Sequence, residues 1–240
     1  MTERLNINPW KSGFAKNKDL YKKRSYFSGG KHKDGVQFPK DGSFLDPNSE
    51  YRHKALDLLN MLNISEPGLV ADIGSGPGHL AYWAKKMGKP FSVISCDISF
   101  YILNEHAKEH GLAIQAEVER LPFAQESLIG IVFSDILEHV EPQDALQALC
   151  QAHFMLKENA CLLINIPNMK TWSDAAQKDP GHVWLPTITE LQQLLRDSGF
   201  NKKAHIHTRG FPFSDIYRKV AGKDLRLPVM GRSIQLVVKK

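Results

Sequence analysis

The feature that most constrains this chain is the run Leu69-Val70-Ala71-Asp72-Ile73-Gly74-Ser75-Gly76-Pro77-Gly78-His79-Leu80. Its first residues read as a short buried strand carrying an acid, its glycines as a turn, and His79-Leu80 as the start of a helix. Glycine lets the backbone take positive φ and lets a ligand approach without meeting a Cβ. The helix start adds N–H groups and a partial positive charge for an anionic group lying in the turn. Such a unit places a small-ligand site at the carboxyl end of a strand.

The identity of the ligand turns on details. A dinucleotide-binding turn carries G-x-G-x-x-G, whose third glycine lets helix and sheet pack closely. Here the glycines fall at 74, 76 and 78, and His79 stands at that third position. An acid just before the glycines, Asp72, is poorly suited to a pyrophosphate. It suits a zwitterion, with the ammonium met by the acid and the carboxylate by the helix start. S-adenosylmethionine (SAM) has such an end. A second apolar run, Phe91 to Cys96, ends in Asp97, about 20 residues past the glycines, where a ribose-binding acid is expected. Asp97 can accept both ribose hydroxyls, and Ile98 offers an apolar face to the adenine. The plain structural alternative is that Asp97 only forms a turn or cap, and that the glycines only tighten a strand–helix connection.

Two further segments follow in order, Ala116-Glu117-Val118-Glu119-Arg120-Leu121-Pro122-Phe123 and Ile131-Val132-Phe133-Ser134-Asp135-Ile136-Leu137-Glu138-His139-Val140. With them the chain resembles the small-molecule branch of the class I SAM-dependent methyltransferases, over roughly Leu69 to Phe200. The resemblance implies a Rossmann-like α/β fold, a seven-stranded and mostly parallel sheet with helices on both faces. It implies that Asp72, Gly74, Ser75, Gly76 and Gly78 hold the methionine end and Asp97 the ribose. Glu117 would accept from the adenine amino group, the Val118 backbone would meet the ring, and Ser134 would lie beside the methionine. Gly130 departs from the family's usual Asp, and a local packing effect is expected there.

Chemistry is expected from Asp135-x-x-Glu138-His139 together with His182, which follows Asp179-Pro180-Gly181. Residues three apart share a face on a helical turn. The segment is similar to the E-x-x-E-H of ubiquinone-biosynthesis O-methyltransferases, where with a later His it implies a divalent metal. Asp135 in place of the first Glu shortens the reach, so a metal-free site is expected. Asp135, Glu138, His139 and His182 would be its ligands if a metal were bound. The catalytic candidates are His139, Glu138 and His182, against the bland reading in which they only fix the loop.

The remaining expectations come from composition and patterning. At 240 residues, with 42% hydrophobic and 24% charged residues, the chain suits a soluble globular protein of one sizeable domain, or of one domain plus an appendage. No apolar run is long enough to span a membrane, and the N-terminus lacks a signal-peptide core. Cys96, Cys150 and Cys161 lie in apolar stretches and read as reduced core thiols of a cytoplasmic protein. The net charge of +5 is uneven. Residues 1–40 carry ten Lys/Arg against three Asp/Glu, residues 201–240 ten against two, and the stretch between eleven against twenty-one. Basic ends suit an anionic small-molecule acceptor, or merely a solvated surface.

Residues 1–46, basic and dotted with aromatics, read as a lid over substrate, and 47–240 as the methyltransferase domain with a substrate-facing insert at 210–231. A helix from Asp46-Pro47 carries Tyr51, Arg52 and His53 towards the cofactor and Leu58, Leu59 and Leu62 inward. Helices are expected at 79–87, 99–110 (closed by Gly111) and 142–157, the last with Leu146, Leu149, Cys150, His153 and Leu156 on one face. Thr187-x-x-Glu190 reads as a capping box, and Gly199 as that helix's end. Strands are expected at 161–166, 203–208 and 232–238. A nucleic-acid amino-methyltransferase is disfavoured, because Ser134-Asp135-Ile136-Leu137 stands where Asp/Asn-Pro-Pro-aromatic belongs. Two competing readings are an RNA-modifying methyltransferase using the basic termini and a non-catalytic SAM-binding partner subunit.

Overall fold

The computed structural model describes residues 50–105, 107–168, 181–209 and 231–240. The expected lid at 1–46, the loop residues Asp179-Pro180 and nearly all of the 210–231 insert lie outside the described residues. Strands and helices alternate: α1 (Glu50–Leu62), β1 (Leu69–Ile73), α2 (His79–Lys86), β2 (Ser92–Asp97), α3 (Phe100–Glu105), β3 (Leu112–Gln115), β4 (Leu128–Ser134), α4 (Pro142–Met155), β5 (Leu156–Pro167), α5 (Ile188–Asp197), β6 (His205–Arg209) and β7 (Ser233–Lys239).

The seven strands form one sheet in the order β3-β2-β1-β4-β5-β7-β6. β1 to β5 pair in parallel, and β7 runs antiparallel to both β5 and β6. This is the expected fold class. The order reverses between β1 and β4, and the crevice beyond the carboxyl ends at such a reversal is where α/β sheets bind ligands. Asp72, Ser134 and Asn165 all sit at or near that edge.

Strands buried on both faces need continuous apolar runs, and β4 (Leu128-Ile129-Gly130-Ile131-Val132-Phe133) is buried throughout. Leu58, Leu59 and Leu62 of α1 pack on one face of the sheet with Leu80, Trp83 and Phe91. Leu149 of α4 and Leu191, Leu194 and Leu195 of α5 pack on the other. The capping box is present as expected: Thr187 Oγ1 accepts from Glu190 N at 3.2 Å, and Glu190 Oε2 accepts from Thr187 N at 2.7 Å. A Cβ at Gly130 would stand 2.9 Å from Ile64 Cδ1, the local packing effect anticipated there.

Several expectations are corrected. α4 stops at Met155, and Leu156 is already strand, because it pairs with Leu128 in the sheet. Cys150 is exposed, so only Cys96 and Cys161 are core thiols. α3 ends at Glu105, short of the expected 99–110, and a 3-10 turn at Ala107–Glu109 follows. Gly111 closes nothing by a left-handed turn; it sits where a Cβ would press to 3.3 Å from the Val93 carbonyl. His153 is half-buried at the end of α4, edge-on to Phe200 with ring centroids 5.0 Å apart.

Candidate active site

The glycine turn is tied to the end of β2. Gly74 N and Ser75 N both donate to the Cys96 carbonyl, at 2.8 and 2.9 Å, and Gly76 N donates to Asp97 Oδ2 at 2.9 Å. Gly74 and Gly76 lie at φ of 71° and 52°. A Cβ on Gly74 would come within 2.9 Å of Ile136 Cδ1, so glycine is required there by neighbour and by backbone. At Gly76 a Cβ would meet nothing within 4 Å. That residue is glycine for its backbone, and it faces open space of the kind a bound cofactor would fill.

Asp97 receives a second backbone N–H, from Ser99 to Oδ1 at 2.9 Å. Burial pushes its carboxyl above the ordinary range, and the Ser99, Gly76 and Ile98 amides oppose that push. Each oxygen retains acceptor capacity for a hydroxyl, as a ribose contact needs. Asp72 is buried and raised to about 7, by desolvation first, with Lys54 pulling it down and Asp97 pushing it up. Ile98 follows Asp97 directly, its carbonyl accepting from Gln115 Nε2 at 3.1 Å.

Of the residues expected to meet the adenine, Glu117 is half-buried and Val118 buried. Their segment is clamped by Gln151 of α4. Gln151 Nε2 donates to the Val118 carbonyl at 3.2 Å, and Gln151 Oε1 accepts from Leu121 N at 2.9 Å. Nothing in the sequence singled out Gln151. A polar residue on the mostly apolar face of a helix was the signal available.

The loop after β4 carries the candidate chemistry. Leu137–His139 forms a 3-10 turn. The Glu138 carbonyl accepts from Val183 N at 2.8 Å, and Trp184 Nε1 donates to the Leu137 carbonyl at 2.8 Å. These bonds bring the 181–184 loop alongside. His139 Nδ1 lies 2.9 Å from the Gly181 carbonyl, and the His139 and His182 ring centroids are 4.8 Å apart. A carbonyl only accepts, so the proton is assigned to Nδ1, and Nε2 is the acceptor nitrogen. One ligand atom each from Glu138, His139 and His182 lies within 4.8 Å of the others. The carboxylate of Glu138 is wholly buried, while both imidazoles are half-buried.

Asp135, the fourth metal candidate, is not in that group. It takes φ of 55°, a left-handed conformation that Asp tolerates better than most side chains. Its N–H donates to the Asn165 carbonyl at 2.8 Å, its Oδ1 accepts from Asn165 Nδ2 at 2.9 Å, and its Oδ2 pairs with Lys54. Asn165 Nδ2 also reaches Ser134 Oγ at 3.3 Å, so Ser134, Asp135 and Asn165 form one polar corner. Lys54 was missed by the sequence reading, since a lysine near the start of an amphipathic helix carries no motif. Tyr51, one turn earlier, packs edge-on to His79 with centroids 5.7 Å apart, and Arg52 lies 5.3 Å above Trp83. These two contacts dock the start of α1 on α2, the helix that opens at the glycine turn. His79 itself is neutral: burial, with Lys54 nearby, lowers it to about 3.

Residues 71–164 match the family model described as a methyltransferase domain. No curated protein sequence matches the chain. Among solved structures, a SAM-dependent methyltransferase from Archaeoglobus fulgidus superposes with a TM-score of 0.65 at 16% identity, over 79% of this chain and 92% of its own. One from Thermotoga maritima, described as a possible histamine N-methyltransferase, gives 0.62 at 19% identity, over 79% and 90%. Phosphoethanolamine N-methyltransferase 2 of Haemonchus contortus, in complex with phosphomonomethylethanolamine and S-adenosylhomocysteine, gives 0.60 at 14% identity, over 78% and 52%. With its strand order and its glycine turn, this chain has the fold of the SAM-dependent methyltransferases, and its residues 71–164 match the methyltransferase domain family.

Proposed function

We propose that this enzyme methylates a small-molecule hydroxyl, on an acceptor of glycan- or lipid-like character bearing an anionic group. The observation that carries the reading is the contact between His139 Nδ1 and the Gly181 carbonyl. It orients the imidazole and leaves Nε2 as the basic nitrogen, on the loop that leaves β4 beside the methionine end. A bound SAM supplies a methyl already activated on sulfonium, and transfer forms an O–CH₃ bond while the S–CH₃ bond breaks to leave S-adenosylhomocysteine (SAH). His139 takes the hydroxyl proton, Glu138 lies buried beneath as a compensating anion, and His182 packs against the ring. Such a base contributes roughly 10²–10⁴-fold.

The test is methyl transfer to a panel of hydroxyl and amine small molecules and RNA, with His139→Ala beside the wild type. The reading expects a hydroxyl product, a turnover loss of that size in the variant, and unchanged SAH affinity. Full turnover in the variant would refute the assignment of His139. An amine product would favour a second reading, supported by the acidic residues Asp72, Asp135 and Glu138 gathered around Lys54; methylated RNA would favour the RNA-modifying alternative. The same site supports a metal-free reaction, and turnover indifferent to EDTA is expected. The exposed, reduced Cys150 supports a cytoplasmic location; no helix among the described residues is long and apolar enough to cross a membrane.

A further inference from the structure

The methionine end of the cofactor carries an ammonium and a carboxylate, and the crevice between β1 and β4 is unevenly equipped for them. Asp72, Asp135 and Glu138 supply three carboxylates around it. His79, first residue of the helix after the glycine turn, brings no charge, and its Nδ1 is buried with no hydrogen-bond partner among the described residues. Two cations among the described residues come near it, Arg209 and Lys54. Arg209 is turned to the buried Asp57, 3.7 Å away, which Gln235 Nε2 also reaches at 2.7 Å. Lys54 alone of the two is paired with a carboxylate of the crevice itself.

Lys54 follows Tyr51 by one turn of α1, Tyr51 docks against His79, and the Lys54 charge acts on both Asp72 and His79, which flank the glycine turn. The side chain is 19% exposed and Asp135 40%, which leaves their ion pair open on the crevice side. Asp135 does not depend on Lys54 for its position. Its backbone amide and Oδ1 are both held by Asn165. Lysine is a point charge on four flexible carbons, able to exchange one carboxylate for another without the planar matching that arginine requires.

We infer that Lys54 is the cation that receives the carboxylate of the cofactor's methionine end, leaving its ligand-free partner Asp135 to do so. The exchange keeps one carboxylate on Lys54 throughout. It also uncovers Asp135 Oδ2, fixed by Asn165 one residue beyond Ser134, at the moment the cofactor is in place. Acceptor binding would therefore be favoured by cofactor binding, which frees Asp135 Oδ2 from Lys54. Burial has already pushed the Lys54 amine down to about 8, with Glu138 and Asp72 opposing the fall and Arg209 adding to it. A second carboxylate arriving in the crevice favours its charged form.

This rests on the SAM reading, and the experiment separates the two. Calorimetry would compare SAH with S-adenosyl-3-thiopropylamine, which keeps the adenosine, thioether and ammonium of SAH and lacks only its carboxylate. The wild type should bind SAH at least tenfold more tightly than this amine. Lys54→Met should lose most of that preference by weakening SAH alone, and Lys54→Arg should retain part of it. Equal affinities in the folded wild type would overturn the inference without any variant. So would a Lys54→Met or Lys54→Gln protein, shown folded by its melting curve, that keeps the preference. Binding of neither compound by the wild type would instead sink the cofactor reading on which this stands.

Discussion

Asp97 is held at both oxygens by backbone amides, so its carboxylate is aimed before any ligand arrives. A hydrogen bond to such a charged acceptor is worth about 1.5–3 kcal/mol, and Asp97→Ala should weaken SAM by that amount in a calorimetric titration. Unchanged affinity would remove the ribose role. Asp72 shows the opposite economy. Burial lifts it from the ordinary 3.8 to about 7, so folding takes up a proton between those values. The stabilisation that proton brings is complete below about pH 4 and lost as pH rises through 7, and at pH 8 the ionised side chain is a cost. Asp72→Asn should therefore raise the melting temperature of the ligand-free protein at pH 8, by roughly 1–2 kcal/mol of stability. The gain should shrink as pH falls below 7, and SAM binding should weaken. A variant that melts lower than wild type at pH 8 would contradict this account. Legibility was uneven at this scale. Asp72, Asp97 and the glycines sit in a spaced pattern, and the structure places them together where β1 and β2 end. Lys54 and Gln151 act through the faces of helices, where only folding reveals what a side chain meets.

At the scale of elements, strands with continuous apolar runs were read correctly, as was the helix opened by the Thr187 box and closed by Gly199, whereas the end signal at Gly111 misled, because α3 stops at Glu105. Thr187 and Glu190 mark the start of α5 in sequence and make both bonds of the box in the structure. Thr187→Ala should cost about 1 kcal/mol in chemical denaturation and leave SAM affinity unchanged. A loss below a few tenths would mean that the box is redundant with the packing of Leu191, Leu194 and Leu195. The junction of α4 and β5 carries no punctuation. Met155 and Leu156 are adjacent apolar residues, and the switch from helix to strand is made by pairing with β4, a non-local contact. Cys150 was misplaced for a related reason. It lies among apolar letters, yet the buried stripe of α4 passes through Ala145, Ala148, Leu149, Ala152 and Met155 instead.

Over the whole molecule, the strand order with its reversal between β1 and β4 gathers Asp72, Ser134, Asp135 and Asn165 at one edge, though they are distant in sequence. The order of motifs along the chain made that edge legible in outline. The polar corner of Asp135 and Asn165 was not, since it depends on the register that sets Ser134 beside Asn165. Charge is partitioned at the same scale, with an acidic middle between basic ends. If those ends only solvate the protein, SAM affinity should hold between about 50 and 200 mM salt, whereas a nucleic-acid partner would show a steep decline in its own binding. The central claim is cofactor identity, and calorimetric titration of the purified protein with SAM, SAH and NAD tests it most directly. The account predicts micromolar binding of SAM and SAH with no heat from NAD. Binding of NAD, or of none of the three, would contradict it, and the last result would bring forward a partner subunit that has kept the fold without the cofactor.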